Sequence, residues 1–144
     1  MFFFFLGARE PFESPELERL AHTLDIIQHR YPLMTIGQLA TLLRVGLVPQ
    51  KEGQYVSVTD IVAHSPGQKY PTVARQIDQL GEGTEKNPGL RLLEKESDPE
   101  DRRGRYVAIS EQGKNLLYEL DLILAPDIVK TIDKPKPAKA SEQK

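Results

Sequence analysis

The sequence predicts a mainly α-helical domain that carries one small β-hairpin. Three observations lead there. Four stretches repeat apolar residues at helical spacing, two extended runs flank a turn-rich loop late in the chain, and the last long helix opens directly after the second run. A length of 144 residues suits one domain with a real core.

The first helix begins at Ser14-Pro15-Glu16-Leu17, with Ser14 as N-cap and Pro15 in the first position, where a missing N–H costs nothing. Leu17, Leu20, Leu24, Ile27 and Tyr31 then form one apolar stripe, and Pro32 stops it. A second helix is expected from near Thr35, carrying Ile36, Leu39, Leu42, Leu43 and Leu47 and ending before Pro49. Residues 50–54 read as a polar loop, and Tyr55-Val56 as a short strand. Ser57-Val58-Thr59-Asp60 opens a short third helix with Val58, Ile61 and Val62 turned inward, broken by Ser65-Pro66-Gly67. A fourth helix starts near Pro71 and points Val73, Ile77 and Leu80 at the core. Gly81 and Gly83 end it, and residues 82–89 form a polar loop.

Leu90 to Glu96 and Arg105 to Ile109 are the two extended runs, joined by a loop that contains Asp98-Pro99 and Gly104. Ser110-Glu111-Gln112-Gly113 opens the last helix, which runs through Leu116, Leu117, Leu120, Ile123 and Leu124 until Pro126 interrupts it. From Asp133 the chain is Lys- and Pro-rich and expected to be disordered. The expected division is an arm over 1–14, a domain over 15–132 with a DNA-binding lobe at about 54–110, and a tail over 133–144. Two helices across a short turn followed by a hairpin make a winged helix-turn-helix, a design that lays one helix in the major groove.

Composition removes other classes. With no cysteine, there is no disulfide framework, thiolate zinc site or thiol redox sensor. The net charge of −2 provides no global attraction for nucleic acid, so any DNA contact must come from a local basic cluster. The phenylalanine run in residues 1–6 is too short to span a membrane, and no Lys or Arg precedes it as a signal peptide needs. It reads as a segment packing on the fold or a partner chain, and the location expected is the cytoplasm. His22, Asp25 and His29 share one face of the first helix, as metal ligands do, but so does the wet side of any amphipathic helix. No metal or cofactor is therefore expected. No phosphate-binding glycine loop or nucleophile motif is present, so no enzymatic activity is expected.

The chemistry that remains suits DNA. The fourth helix carries Thr72, Arg75, Gln76 and Gln79, preceded by Lys69 and Tyr70. Arg pairs with guanine, Gln with adenine and Thr with the thymine methyl, and the N-terminal end of such a helix normally points at bases. A solvated polar face has the same composition. In the hairpin, Arg102, Arg103 and Arg105 lie at or beside the tip, with Asp98, Glu100 and Asp101 next to them. The arginines can reach a minor groove or phosphates, and the acids can equally neutralise them in a salt-bridged turn.

The stretch from Asp98 to Gly113, Asp-Pro-Glu-Asp-Arg-Arg-Gly-Arg-Tyr-Val-Ala-Ile-Ser-Glu-Gln-Gly, resembles the wing signature of the MarR family of transcriptional regulators. That pattern joins an Asp-Pro-x-Asp-Arg-Arg tip, a short apolar strand, and a Ser or Thr three residues before a Gly. The element order agrees from Leu17 to Leu124, whereas the motif match is confined to the wing. The resemblance implies terminal dimerisation helices, a two-fold homodimer and usually repression. It implies that Arg102 or Arg103 contacts the minor groove, that Asp101 orients it, and that the helix after Tyr70 reads the major groove. Small-molecule effectors are common in the family, and none is identifiable here. Two departures stand out: a looser turn at residues 65–69 and a longer passage over 81–91. The function expected is a sequence-specific double-stranded DNA-binding repressor on a pseudo-palindromic operator. The alternative is a winged helix that docks or assembles proteins.

Overall fold

The computed structural model describes residues 10–50, 55–97 and 105–126. Among the described residues, five helices and three strands follow in the order α1 (Pro15–Arg30), α2 (Ile36–Leu47), β1 (Val56–Ser57), α3 (Val58–Ala63), α4 (Tyr70–Leu80), β2 (Leu93–Ser97), β3 (Arg105–Ile109) and α5 (Glu111–Leu124). The arrangement is a mainly helical winged fold with a small antiparallel sheet.

Helix starts are set by short-range hydrogen bonds. Ser14 accepts from the Leu17 N–H, Ser57 from Asp60 and Ser110 from Gly113, each relieving one orphan donor of the first turn. Thr35 and Gln38 make a reciprocal capping box at α2. The central core is built from Leu42, Val45, Val56, Ile61, Val73, Ile77, Leu80, Leu92, Leu93, Val107 and Leu116, every one at most 3% exposed. Val73, Ile77 and Leu80 face inward as their spacing predicts.

The sheet order is β1-β3-β2. The hairpin strands β2 and β3 pair antiparallel from Leu93 opposite Ile109 to Ser97 opposite Arg105. The short β1 adds to the other side of β3, Val56 opposite Val107. The strand expected from Leu90 begins only at Leu93. Leu90, Arg91 and Leu92 spend their N–H groups on the carbonyls of Gln79, Gly81 and Leu80, which caps the C-terminal end of α4. Arg91 takes φ +62°, a left-handed turn that an extended run cannot contain. The long passage over 81–91 is thus folded back on itself, closed by the Gly83–Pro88 bridge and by the Gly89 N–H on the Glu82 carbonyl.

Helix α1 lies along α5. Arg30 pairs with Glu119 at 2.7 Å, and the Gln112 amide donates to the Tyr31 hydroxyl at 3.0 Å. Only part of the α1 stripe is covered: Ile27 is buried, whereas Leu17, Leu20 and Leu24 are 50%, 47% and 37% exposed. Among the described residues, no helix is long and apolar enough to cross a membrane.

Candidate nucleic-acid interface

Helix α4 packs against both α2 and α3, with its apolar edge of Val73, Ile77 and Leu80 buried. Arg44 of α2 donates to the His64 carbonyl at 2.6 Å, tying α2 to the C-terminal end of α3. The intervening turn closes with the Gln68 N–H on the Ser65 carbonyl, and Gly67 supplies the φ of +75° that the turn needs. The Ser65 hydroxyl, buried, donates to the Ile61 carbonyl at 2.6 Å. The looser turn over 65–69 is therefore anchored at its start.

The residues expected to face DNA are not equivalent. Arg75 is exposed and lies opposite the buried edge of α4. Lys69 and Tyr70 are exposed at the start of the helix, and Thr72 is half-buried within its first turn. Lys69 occupies the N-cap without a side-chain capping hydrogen bond. Gln76 is half-buried, and its Oε1 accepts from the Thr41 hydroxyl at 2.5 Å. Gln79 is exposed, yet its Oε1 accepts from Gln38 Nε2 at 2.9 Å. Both glutamines are thus engaged by α2, a partnership that spans 35 and 41 residues and leaves no local signal.

The wing is coupled to the same helix. Lys95 on β2 pairs with Asp78 on α4, so the strand leading to the hairpin tip is held beside the candidate reading surface. No property of the sequence near Lys95 or Asp78 announced that pair. Arg105 is exposed at the start of β3. Asp101, Arg102 and Arg103 lie outside the described residues, as do the acids Asp98 and Glu100.

The junction behind the wing explains the Ser-x-x-Gly spacing. Ser110 donates from its hydroxyl to the Arg91 carbonyl at 2.8 Å and from its backbone to the Leu92 carbonyl at 3.0 Å. Its Oγ also accepts from the Gly113 N–H at 3.0 Å. A Cβ on Gly113 would stand 2.3 Å from the Leu92 carbonyl oxygen, so the first turn of α5 passes that backbone at a distance only glycine allows.

His22, Asp25 and His29 are all exposed on α1, and no group of three or more metal-ligating side chains is found among the described residues. A paired helix-turn-helix with a strand hairpin tied to its second helix defines a winged helix-turn-helix protein.

No protein-family model and no curated protein sequence matches the chain. Solved structures do. The chain is similar to RV1404 from Mycobacterium tuberculosis, with 19% identity over 86% of this chain and 74% of that one, and a TM-score of 0.55. It is similar to a mutant MarR from E. coli complexed with operator DNA, with 18% identity over 85% and 83% of the two chains and a TM-score of 0.50. A third likeness is to Sco3205, a MarR family transcriptional regulator from Streptomyces coelicolor in complex with DNA, at 17% identity over 84% and 74%, TM-score 0.50. The fold is the winged helix of MarR family regulators.

Proposed function

We propose that the chain is a sequence-specific double-stranded DNA-binding regulator that represses transcription as a homodimer on a pseudo-palindromic operator, acting by binding and not by catalysis. The observation that carries this reading is the outer face of α4. Arg75 projects to solvent, Lys69 and Tyr70 are exposed at the start of the helix beside the half-buried Thr72, and the wing strand is moored to it through Lys95–Asp78. In this reading Arg75 pairs with a guanine, Thr72 meets a neighbouring base, and Lys69 and Tyr70 hold phosphates. Arg102 or Arg103 enters the minor groove with Asp101 orienting it, and Arg105 supports the flank.

The homodimer is supported by apolar surface left open on the two terminal helices: Leu17, Leu20 and Leu24 on α1, and Tyr118, Leu122 and Leu124 on α5. Large apolar residues left exposed on paired helices suit an interface, and a two-fold copy of the same surface is their simplest complement. Two α4 helices related by that axis would read half-sites about one helical turn apart.

A second reading, docking of another protein, has one observation in its favour. Ile36, Ala40, Leu43 and Leu47 share one exposed face of α2, with Ile36 and Leu47 at 81% and 80% exposure. The deciding experiment is selection of the purified protein on random duplexes with sequencing, at two salt concentrations. Enrichment of a two-fold symmetric site, with affinity falling steeply as salt rises, supports the regulator. Weak binding without enrichment at both salts removes it and favours the docking module.

A further inference from the structure

We infer that the first turns of α2 determine which side chains of α4 read bases: Gly37, Gln38 and Thr41 hold Gln76 and Gln79 out of the readout. The inference rests on the DNA-binding reading above. Four contacts carry it. The Thr41 hydroxyl, on a residue only 5% exposed, donates to Gln76 Oε1 at 2.5 Å. The Gln76 amide nitrogen lies over Gly37 so closely that a Cβ there would stand 2.6 Å from it. Gln38 Nε2 donates to Gln79 Oε1 at 2.9 Å. Gln38 Oε1 meanwhile accepts from the Thr35 N–H at 3.0 Å, so the side chain that holds Gln79 is itself fixed by the helix cap.

Recognition of adenine by glutamine uses both the oxygen and the nitrogen of one free amide edge. Gln76 lacks such an edge, with its oxygen on Thr41 and its nitrogen seated on Gly37. Turning it toward a base would leave the buried Thr41 hydroxyl unpaired, an opposing factor of roughly ten to a hundred in the equilibrium. Arg75 and Thr72 are under no such restraint from α2. The clamp therefore narrows readout to those two residues, and it does so from a helix that itself need not touch DNA. Gly37 is central because any larger residue fills the seat of the Gln76 amide.

The test compares wild type, Gly37→Ala, Thr41→Val, Thr41→Ser and the double variant Gly37→Ala/Gln76→Ala by selection on random duplexes, with a thermal melt for each. Gly37→Ala places its methyl against the far end of a flexible side chain, so Gln76 shifts and the fold holds. Its melting temperature is expected to fall only slightly, since the better helix propensity of alanine offsets part of the loss of the Thr41–Gln76 bond. Gly37→Ala and Thr41→Val are expected to gain preference for adenine at one position of each half-site, by about tenfold over wild type. Thr41→Ser keeps the hydroxyl and should keep the wild-type site. Adding Gln76→Ala should erase the gain, a result that a merely structural role for α2 does not produce. Identical selected sites for wild type, Gly37→Ala and Thr41→Val would overturn the clamp while leaving DNA recognition intact. A wild-type protein that enriches no site would instead overturn the DNA-binding reading, and the clamp with it.

Discussion

Substituting Gly113 by alanine probes the joint between wing and α5, and its cost can be worked from the contacts. The added Cβ meets the Leu92 carbonyl oxygen at 2.3 Å, Ile109 Cγ2 at 2.7 Å and the Leu92 carbonyl carbon at 3.2 Å. A carbon to carbonyl-oxygen contact settles at about 3.3–3.6 Å, so the helix start and the Leu92 backbone must separate by roughly 1 Å. Neither side yields easily. Leu92 is fully buried, its N–H is bound to the Leu80 carbonyl, and its own carbonyl receives the Ser110 N–H. Gly113 is fixed in turn by its bond to Ser110 Oγ. Overpacking of this kind costs about 1–3 kcal/mol, and a clash with backbone belongs at the upper end. Alanine returns at most about 1 kcal/mol of helix propensity, which leaves roughly 2 kcal/mol of net destabilisation. At about 4 °C per kcal/mol for a chain of this size, the melting temperature should fall by about 8 °C. Far-UV circular dichroism reads this at one fixed protein concentration, because self-association of any kind would make the midpoint depend on concentration. A melting temperature equal to that of wild type would refute the argument that glycine is required by the Leu92 carbonyl.

Four further outcomes are expected. Arg75→Ala should cost about 1–3 kcal/mol of binding and relax preference at one base position; equal discrimination among sequences before and after the change removes Arg75 from base readout. Arg102→Ala should weaken binding and blunt any preference for a narrow minor groove, measured on duplexes with and without A-tract flanks. Replacing Leu20, 47% exposed on α1, by Glu should shift sedimentation toward monomer without lowering helical content, and an unchanged dimer would place the interface elsewhere. Lys95→Ala removes an ion pair whose side chains are both 41% exposed, so stability should change by less than about 1 kcal/mol. A loss of several kcal/mol in urea titration would show that the pair holds the wing by more than surface electrostatics.

What the amino-acid sequence determined by itself is what acts within one or two turns of chain. Ser14, Ser57 and Ser110 cap because their hydroxyls reach an N–H three residues on. Val73, Ile77 and Leu80 are core because their spacing keeps them on one side of a helix. The Ser110-x-x-Gly113 opening of α5 was legible for the same reason, and the winged fold shared with MarR regulators followed from the order of such elements. Tertiary structure decided what depends on partners far along the chain. The stripe of Leu17, Leu20 and Leu24 looks like core from its period, yet the neighbouring helices leave it open. Leu90 to Leu92 read as strand, yet the free carbonyls at the end of α4 claim their N–H groups. Gln76 and Gln79 have the composition of a reading face, and only the placement of α2 beside α4 brings Thr41 and Gln38 onto them. Periodicity tells which side of a helix is apolar; it carries no information about which helix will lie against the polar side, because that follows from packing angles set by the whole core.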